Sequence, residues 1–142
     1  MRKRKQKSQG VYRPHKPYSV RKRKYQNLKK TVLIVDDDEL LLRAACRLLQ
    51  NDWNIYTARS AVEATAILEG KRFDAVITDY EMPGENGVWL LEKVRHSNPD
   101  IRRVLFSCIG PENLLEHITS GLVGRFVTKP TCRADLLSAL NP

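Results

Sequence analysis

From Thr31 onward, short runs of apolar and β-branched residues alternate five times with segments of helical period. No other feature restricts the fold as strongly. Parallel strands need a long crossover between them, and a helix is the usual way to build one. Thr31–Val35 (TVLIV) reads as a strand buried on both faces. Glu39–Gln50 then places Leu41, Ala44, Ala45 and Leu48 on one helical stripe. Asn54–Ala58 is a weaker strand. Ser60 with Glu63 forms a capping box ahead of Ala61, Ala64 and Leu68, and Gly70 is a suitable stop. Phe73–Thr78 reads as the third strand, Asp79–Gly87 as a loop rich in turn residues, and Val88–Arg95 as a helix. Arg103–Phe106 and Arg125–Thr128 are the last two strands. Pro111–Ser120 and Arg133–Leu140 are the last two helices, with Pro111 in a first turn and Gly121 at an end. The expectation is an α/β domain with a five-stranded parallel sheet flanked by five helices.

Charge divides the chain at about Lys30. Thirteen of the 25 Lys and Arg residues fall in residues 1–30, which contain no Asp or Glu. The remainder holds twelve basic residues against sixteen acidic ones, so the net charge of +9 describes the N-terminal segment and misdescribes the rest. Residues 1–30 are too polar to bury a core, and a disordered basic tail ahead of a domain at 31–142 is expected. Its clusters Arg2, Lys3, Arg4, Lys5 and Arg21, Lys22, Arg23, Lys24 are interleaved with Tyr12, Tyr18 and Tyr25. Basic residues neutralise phosphates and tyrosines stack on bases, so nucleic acid is one possible ligand. An anionic surface is another, and a solvated extension without a role is the third. Cys46, Cys108 and Cys132 are odd in number and lack CxxC spacing, as expected of buried, reduced thiols in a cytoplasmic protein. No apolar run is long enough for a membrane span, and no secretory signal follows the basic start.

The polar residues that follow the strands carry the chemistry. Open parallel sheets bind ligands beyond the carboxyl ends of their strands. Asp36 and Asp37 follow the first strand, Asp79 the third, Ser107 the fourth and Lys129 the fifth. Each has an ordinary explanation when taken singly: an acidic helix start, a turn residue, a strand-end hydroxyl, a solvated lysine. Together they predict one cleft. Three carboxylates in one place repel unless a cation intervenes, and hard oxygen ligands without His or Cys suit Mg²⁺. A lysine and a hydroxyl supply donors for a transferring phosphoryl group, and an aspartate is a competent nucleophile.

The stretches VLIVDDDE at 32–39, AVITDYEMPGENG at 75–87, VLFS at 104–107 and RFVTKP at 125–130 together resemble the receiver domain of two-component response regulators. The resemblance runs from Thr31 to about Leu140. It implies the flavodoxin-like strand order 2-1-3-4-5. It also implies that Asp79 is the phosphoacceptor and that Asp36, Asp37, Asp79 and the backbone carbonyl of Glu81 hold Mg²⁺. Ser107 and Lys129 would stabilise the phosphoryl group, Ser107 and Phe126 would act as the switch, and the Lys129–Pro130 bond would be cis. The implied phosphodonor is a sensor histidine kinase or a phosphotransfer protein, and the implied output is control of a downstream protein partner in a phosphorelay.

Three departures from the family pattern stand out. Cys108 replaces a very small residue, Phe126 replaces the commoner Tyr, and the last helix is short, which puts dimerisation through the last two helices in question. With no output domain following, a single-domain regulator is expected. Two other readings compete. A pseudo-receiver would keep the fold as an interaction module without the chemistry, and only Cys108 favours it. A hydrolase of the haloacid dehalogenase type would use Asp36-x-Asp38, but it needs a further acidic motif after the lysine, where only Asp135 stands.

Overall fold

The computed structural model describes residues 28–141. Five strands form one parallel sheet: β1 (Thr31–Val35), β2 (Asn54–Ala58), β3 (Ala75–Thr78), β4 (Arg102–Ser107) and β5 (Arg125–Thr128). Their order across the sheet is β2-β1-β3-β4-β5. Five α-helices cross between or follow them among the described residues: α1 (Glu39–Leu49), α2 (Ala61–Gly70), α3 (Gly87–Ser97), α4 (Leu115–Thr119) and α5 (Arg133–Leu140). This is the architecture expected from the alternating pattern.

Register brings the strand ends level. Val35 lies opposite Ala58 on one side and Thr78 on the other, and Ser107 lies opposite Thr128. The residues that follow these positions therefore emerge along a single edge. The central strands β1 and β3 are buried along almost their whole length, as strands covered on both faces must be. They divide the core in two. Leu33, Val76 and Leu105 pack towards α2 and α3, while Ile34, Ile77 and Val104 pack towards α1 and α5.

Local signals set the helix starts. The Asp38 carboxylate accepts from the backbone N–H groups of Leu40 (2.9 Å) and Leu41 (3.4 Å). Ser60 Oγ accepts from Glu63 N at 3.1 Å, while the Glu63 carboxylate accepts at 2.9 Å from the N–H of Arg59, one residue ahead of the cap, a shifted form of the capping box. Asn86 caps α3 through Trp89 N at 2.9 Å. Gly121 takes φ +75°, a turn that a side chain would strain.

Several expectations need correction. The stripe of α1 is rotated by one residue: Leu42, Ala45 and Leu49 are buried, Ala44 is exposed, and Leu40 and Leu41 keep 74% and 36% of their surface. A leucine-rich first turn satisfies more than one helical face, and the crossover angle selects among them. The segment 111–120 is not one helix. Pro111–Leu114 form a 3₁₀ turn, and α4 follows with no buried residue of its own. Cys46 is half-buried, but Cys108 and Cys132 are exposed, because they lie in the loops just after β4 and just before α5. The basic clusters at 2–5 and 21–24 lie outside the described residues. At the near end, Lys29 O accepts from Asn54 Nδ2 (3.0 Å) and Lys30 O from Asn54 N (2.8 Å).

Candidate functional site

Asp36, the first residue past β1, is 3% exposed. Its position is fixed twice, by its N–H on Ala58 O (3.1 Å) and by Asp38 N donating to its Oδ1 at 2.9 Å. Asp79 follows β3 and donates its N–H to Val35 O at 2.9 Å, which ties the two acidic loops together. Carboxylate oxygens of Asp36, Asp37 and Asp79 all lie within 4.8 Å of one another.

Lys129 reaches this group from β5. Its backbone N–H donates to Ser107 O at 2.9 Å, and its Nζ stands 2.6 Å from Asp36 Oδ2 and 3.4 Å from Asp79 Oδ1. The Phe106 ring lies 5.0 Å from the same ammonium, close enough for a cation–π contact. The Lys129–Pro130 peptide is cis. Ser107 is buried beside it, and its hydroxyl accepts from Ile109 N at 3.1 Å. Phe126 is half-buried against the α2–α3 side of the core. Glu81 is exposed and lines a shallow hollow with Tyr80, Met82, Pro83 and Asn86. All the predicted residues from Asp36 to Lys129 except Phe126 thus stand on or beside one edge.

The electrostatics are those of a crowded acidic cleft. Burial pushes the Asp79 carboxyl up from its ordinary range and the Asp36 charge pushes it further, while Lys129 opposes both. For Lys129, burial acts to lower its value, but the hydrogen bond and charge of Asp36, with those of Asp79, outweigh this and hold it above the usual range. The cleft therefore contains more negative charge than its one lysine balances. Its donors are carboxylate oxygens, without imidazole or thiolate in the cluster. That set fits a hard divalent cation such as Mg²⁺.

Three contributors were not singled out in the sequence. A Cβ on Gly87 would fall 2.0 Å from the carbonyl oxygen of Asp79, so only glycine lets α3 start this close beneath the acidic loop. Thr78 Oγ1 donates to that same carbonyl at 3.0 Å. Phe106 forms part of the wall around Lys129. Gly87 stands at the end of a turn-rich run, where a glycine needed for close approach looks like one needed for the turn.

The family model of the response regulator receiver domain matches residues 32–141. The chain belongs to this family. Among curated proteins, this receiver is 31% identical over 101 residues to the hydrogenase transcriptional regulatory protein HoxA of Bradyrhizobium diazoefficiens, covering 70% of this chain and 21% of that protein. It is 33% identical over 104 residues to the probable transcriptional regulatory protein TcrX of Mycobacterium tuberculosis, covering 70% and 43%. The chain thus spans about a fifth of HoxA and under half of TcrX. Among solved structures, a response regulator receiver domain protein from Clostridium thermocellum superposes with a TM-score of 0.73 at 25% identity, covering 79% of this chain and 91% of that one. Among the described residues, no helix is long and apolar enough to cross a membrane.

Proposed function

We propose that this receiver is a phosphorylation-controlled switch that accepts a phosphoryl group on Asp79. The observation that carries the reading is the placement of one ammonium, Lys129 Nζ, at 2.6 Å from Asp36 and 3.4 Å from Asp79, across from three clustered carboxylates. Asp36, Asp37 and Asp79, with the backbone carbonyl of Glu81, would hold Mg²⁺, which when bound offsets the negative charge of carboxylate and phosphoryl oxygens. In the transfer, an Asp79 carboxylate oxygen forms the new bond to phosphorus. The bond from phosphorus to the donor, a histidine nitrogen of a kinase or phosphotransfer protein, breaks, and the electron pair stays on that nitrogen. Lys129 then has a phosphoryl oxygen to bond as well as Asp36. Ser107 would exchange its bond from Ile109 N for one to the phosphoryl group, and Phe126 would follow it inward. Exposed Leu40 and Leu41, on the first turn of α1 beside the acidic loop, give the donor protein an apolar foothold.

The test is labelling of the full chain with acetyl phosphate and Mg²⁺. The parent is expected to take up one phosphoryl group and Asp79→Ala none. Equal labelling of both would put the acceptor elsewhere. Failure of the parent to label at high donor concentration would favour the pseudo-receiver. The domain at 31–142 follows a basic segment that we assign to nucleic acid or another anionic surface, on the strength of its thirteen cations and its tyrosines. Control of a partner protein is the output we assign to the domain itself.

A further inference from the structure

The corner between α1 and the outer edge of β2 concentrates charge of the opposite sign to the cleft. β2 is the outermost strand, and its far edge has no neighbour in the sheet among the described residues. Asn54 N donates to Lys30 O at 2.8 Å, and Ala58 O accepts from Asp36 N at 3.1 Å, both on the β1 side. Backbone groups of successive residues in a parallel strand point to alternate sides. Those of Ile55 and Thr57 therefore face outward.

Beside this edge lies a shallow hollow of about 390 Å³, lined by Leu42, Cys46, Thr57 and three arginines, Arg43, Arg47 and Arg59, with Glu39 at its margin. Arg43 pairs with Glu39 at 2.9 Å, and Arg59 Nη2 donates to the Asp37 carbonyl at 3.3 Å. Arg47 makes no ion pair among the described residues. Arg43 and Arg47 stand one turn apart on the same face of α1, so their guanidinium groups line one wall of the hollow. Arg43 shares its charge with Glu39, while Arg47 in the last turn has no acidic partner among the described residues.

We propose that this edge takes an extended, acidic peptide segment of a partner protein as a sixth strand beside β2. Its backbone would pair with the outward groups of Ile55 and Thr57. Every second side chain would point to the α1 side, where carboxylates meet Arg43, Arg47 and Arg59. Charge selects this occupant. The chain's own first thirty residues, thirteen of them basic and none acidic, offer no carboxylate to these arginines. A second copy offering the same edge would set arginine against arginine. The inference does not depend on chemistry at Asp79, although the Arg59 bond to Asp37 links this corner to the acidic loop.

The probe is a fluorescent peptide of about ten residues, alternating Val and Glu, with a copy N-methylated at every second amide to block strand pairing while keeping the charge. Binding to the full chain is read by anisotropy, and amide exchange by NMR. The double variant Arg43→Glu, Arg47→Glu is expected to lose about tenfold in affinity or more. Thr57→Pro keeps the arginines but removes an outward N–H, at an edge position where proline is tolerated, and is expected to weaken binding as well. Bound peptide should slow exchange at Ile55 and Thr57, and the methylated copy should bind more weakly. Equal binding by the charge-reversed variant would assign the peptide to the basic N-terminal segment and overturn the proposal. So would unchanged exchange at Ile55 and Thr57, or no binding at all, which would leave the arginines as a guard against edge-to-edge association.

Discussion

Asp79 combines two demands that conflict. Under the proposed function it must be ionised to act as a nucleophile, yet burial and the neighbouring Asp36 favour its protonated form. A carboxyl raised in the folded state is a stability penalty at neutral pH, absent below its ordinary value of 3.8 and fully present above its folded value. Without metal, Asp79→Asn is therefore expected to raise the melting temperature at pH 7. The gain should shrink as pH falls through the raised value towards the ordinary one, and scanning calorimetry across that window checks it. Gly87 makes a different demand. Gly87→Ala forces a Cβ to within 2.0 Å of the Asp79 carbonyl, so either α3 or the acidic loop must shift. Loss of acetyl-phosphate labelling, together with a lowered denaturation midpoint, is the expected result. The gathering of Asp36, Asp37, Asp79, Ser107 and Lys129 at one edge was legible because each stands at or just past the carboxyl end of a strand that pattern alone reveals. Gly87, Thr78 and Phe106 were not, because their contribution is a contact across the fold and leaves no local signature.

Among the elements, the strands and most helices could be read because capping groups and apolar periods agree. Ser60 with Glu63 marked α2: Ser60 makes the expected bond, and Glu63 takes the N–H of Arg59 in place of the cap's own. α1 shows what periodicity leaves open. Its run of leucines supports two adjacent stripes, and only packing against β1 and α5 selects Leu42, Ala45 and Leu49 for the interior. Leu42→Ala is accordingly expected to cost about 2–4 kcal/mol in urea denaturation, and Leu40→Ala less than about 0.5 kcal/mol. If Leu40 docks the phosphodonor, Leu40→Ala should slow transfer from the kinase while leaving labelling by acetyl phosphate unchanged. The stretch after β4 was harder to read. Pro111 signals a helix start correctly, but the amphipathic pattern behind it is too short to show that a 3₁₀ turn comes first. The thiols were misjudged for a related reason: Cys108 and Cys132 flank apolar strands and helices without belonging to them.

At the scale of the whole molecule, charge is segregated by position. The cleft at the carboxyl ends of the strands is acidic, the β2 corner carries arginines, and thirteen basic residues precede the domain. If the basic segment binds nucleic acid, removing residues 1–30 should abolish DNA binding and its steep dependence on salt, with phosphorylation of Asp79 retained. Filter binding at several salt concentrations, beside acetyl-phosphate labelling of the truncated chain, checks both. The packing is also uneven. Leucines and valines anchor α1, α3 and α5 to the sheet, whereas α4 contributes no buried residue. A domain moored this way yields on one side first. Leu114 and the half-buried Ile118 are what tie that turn to the core, so strain introduced where β4 and β5 end is expected to displace it before the better-anchored helices.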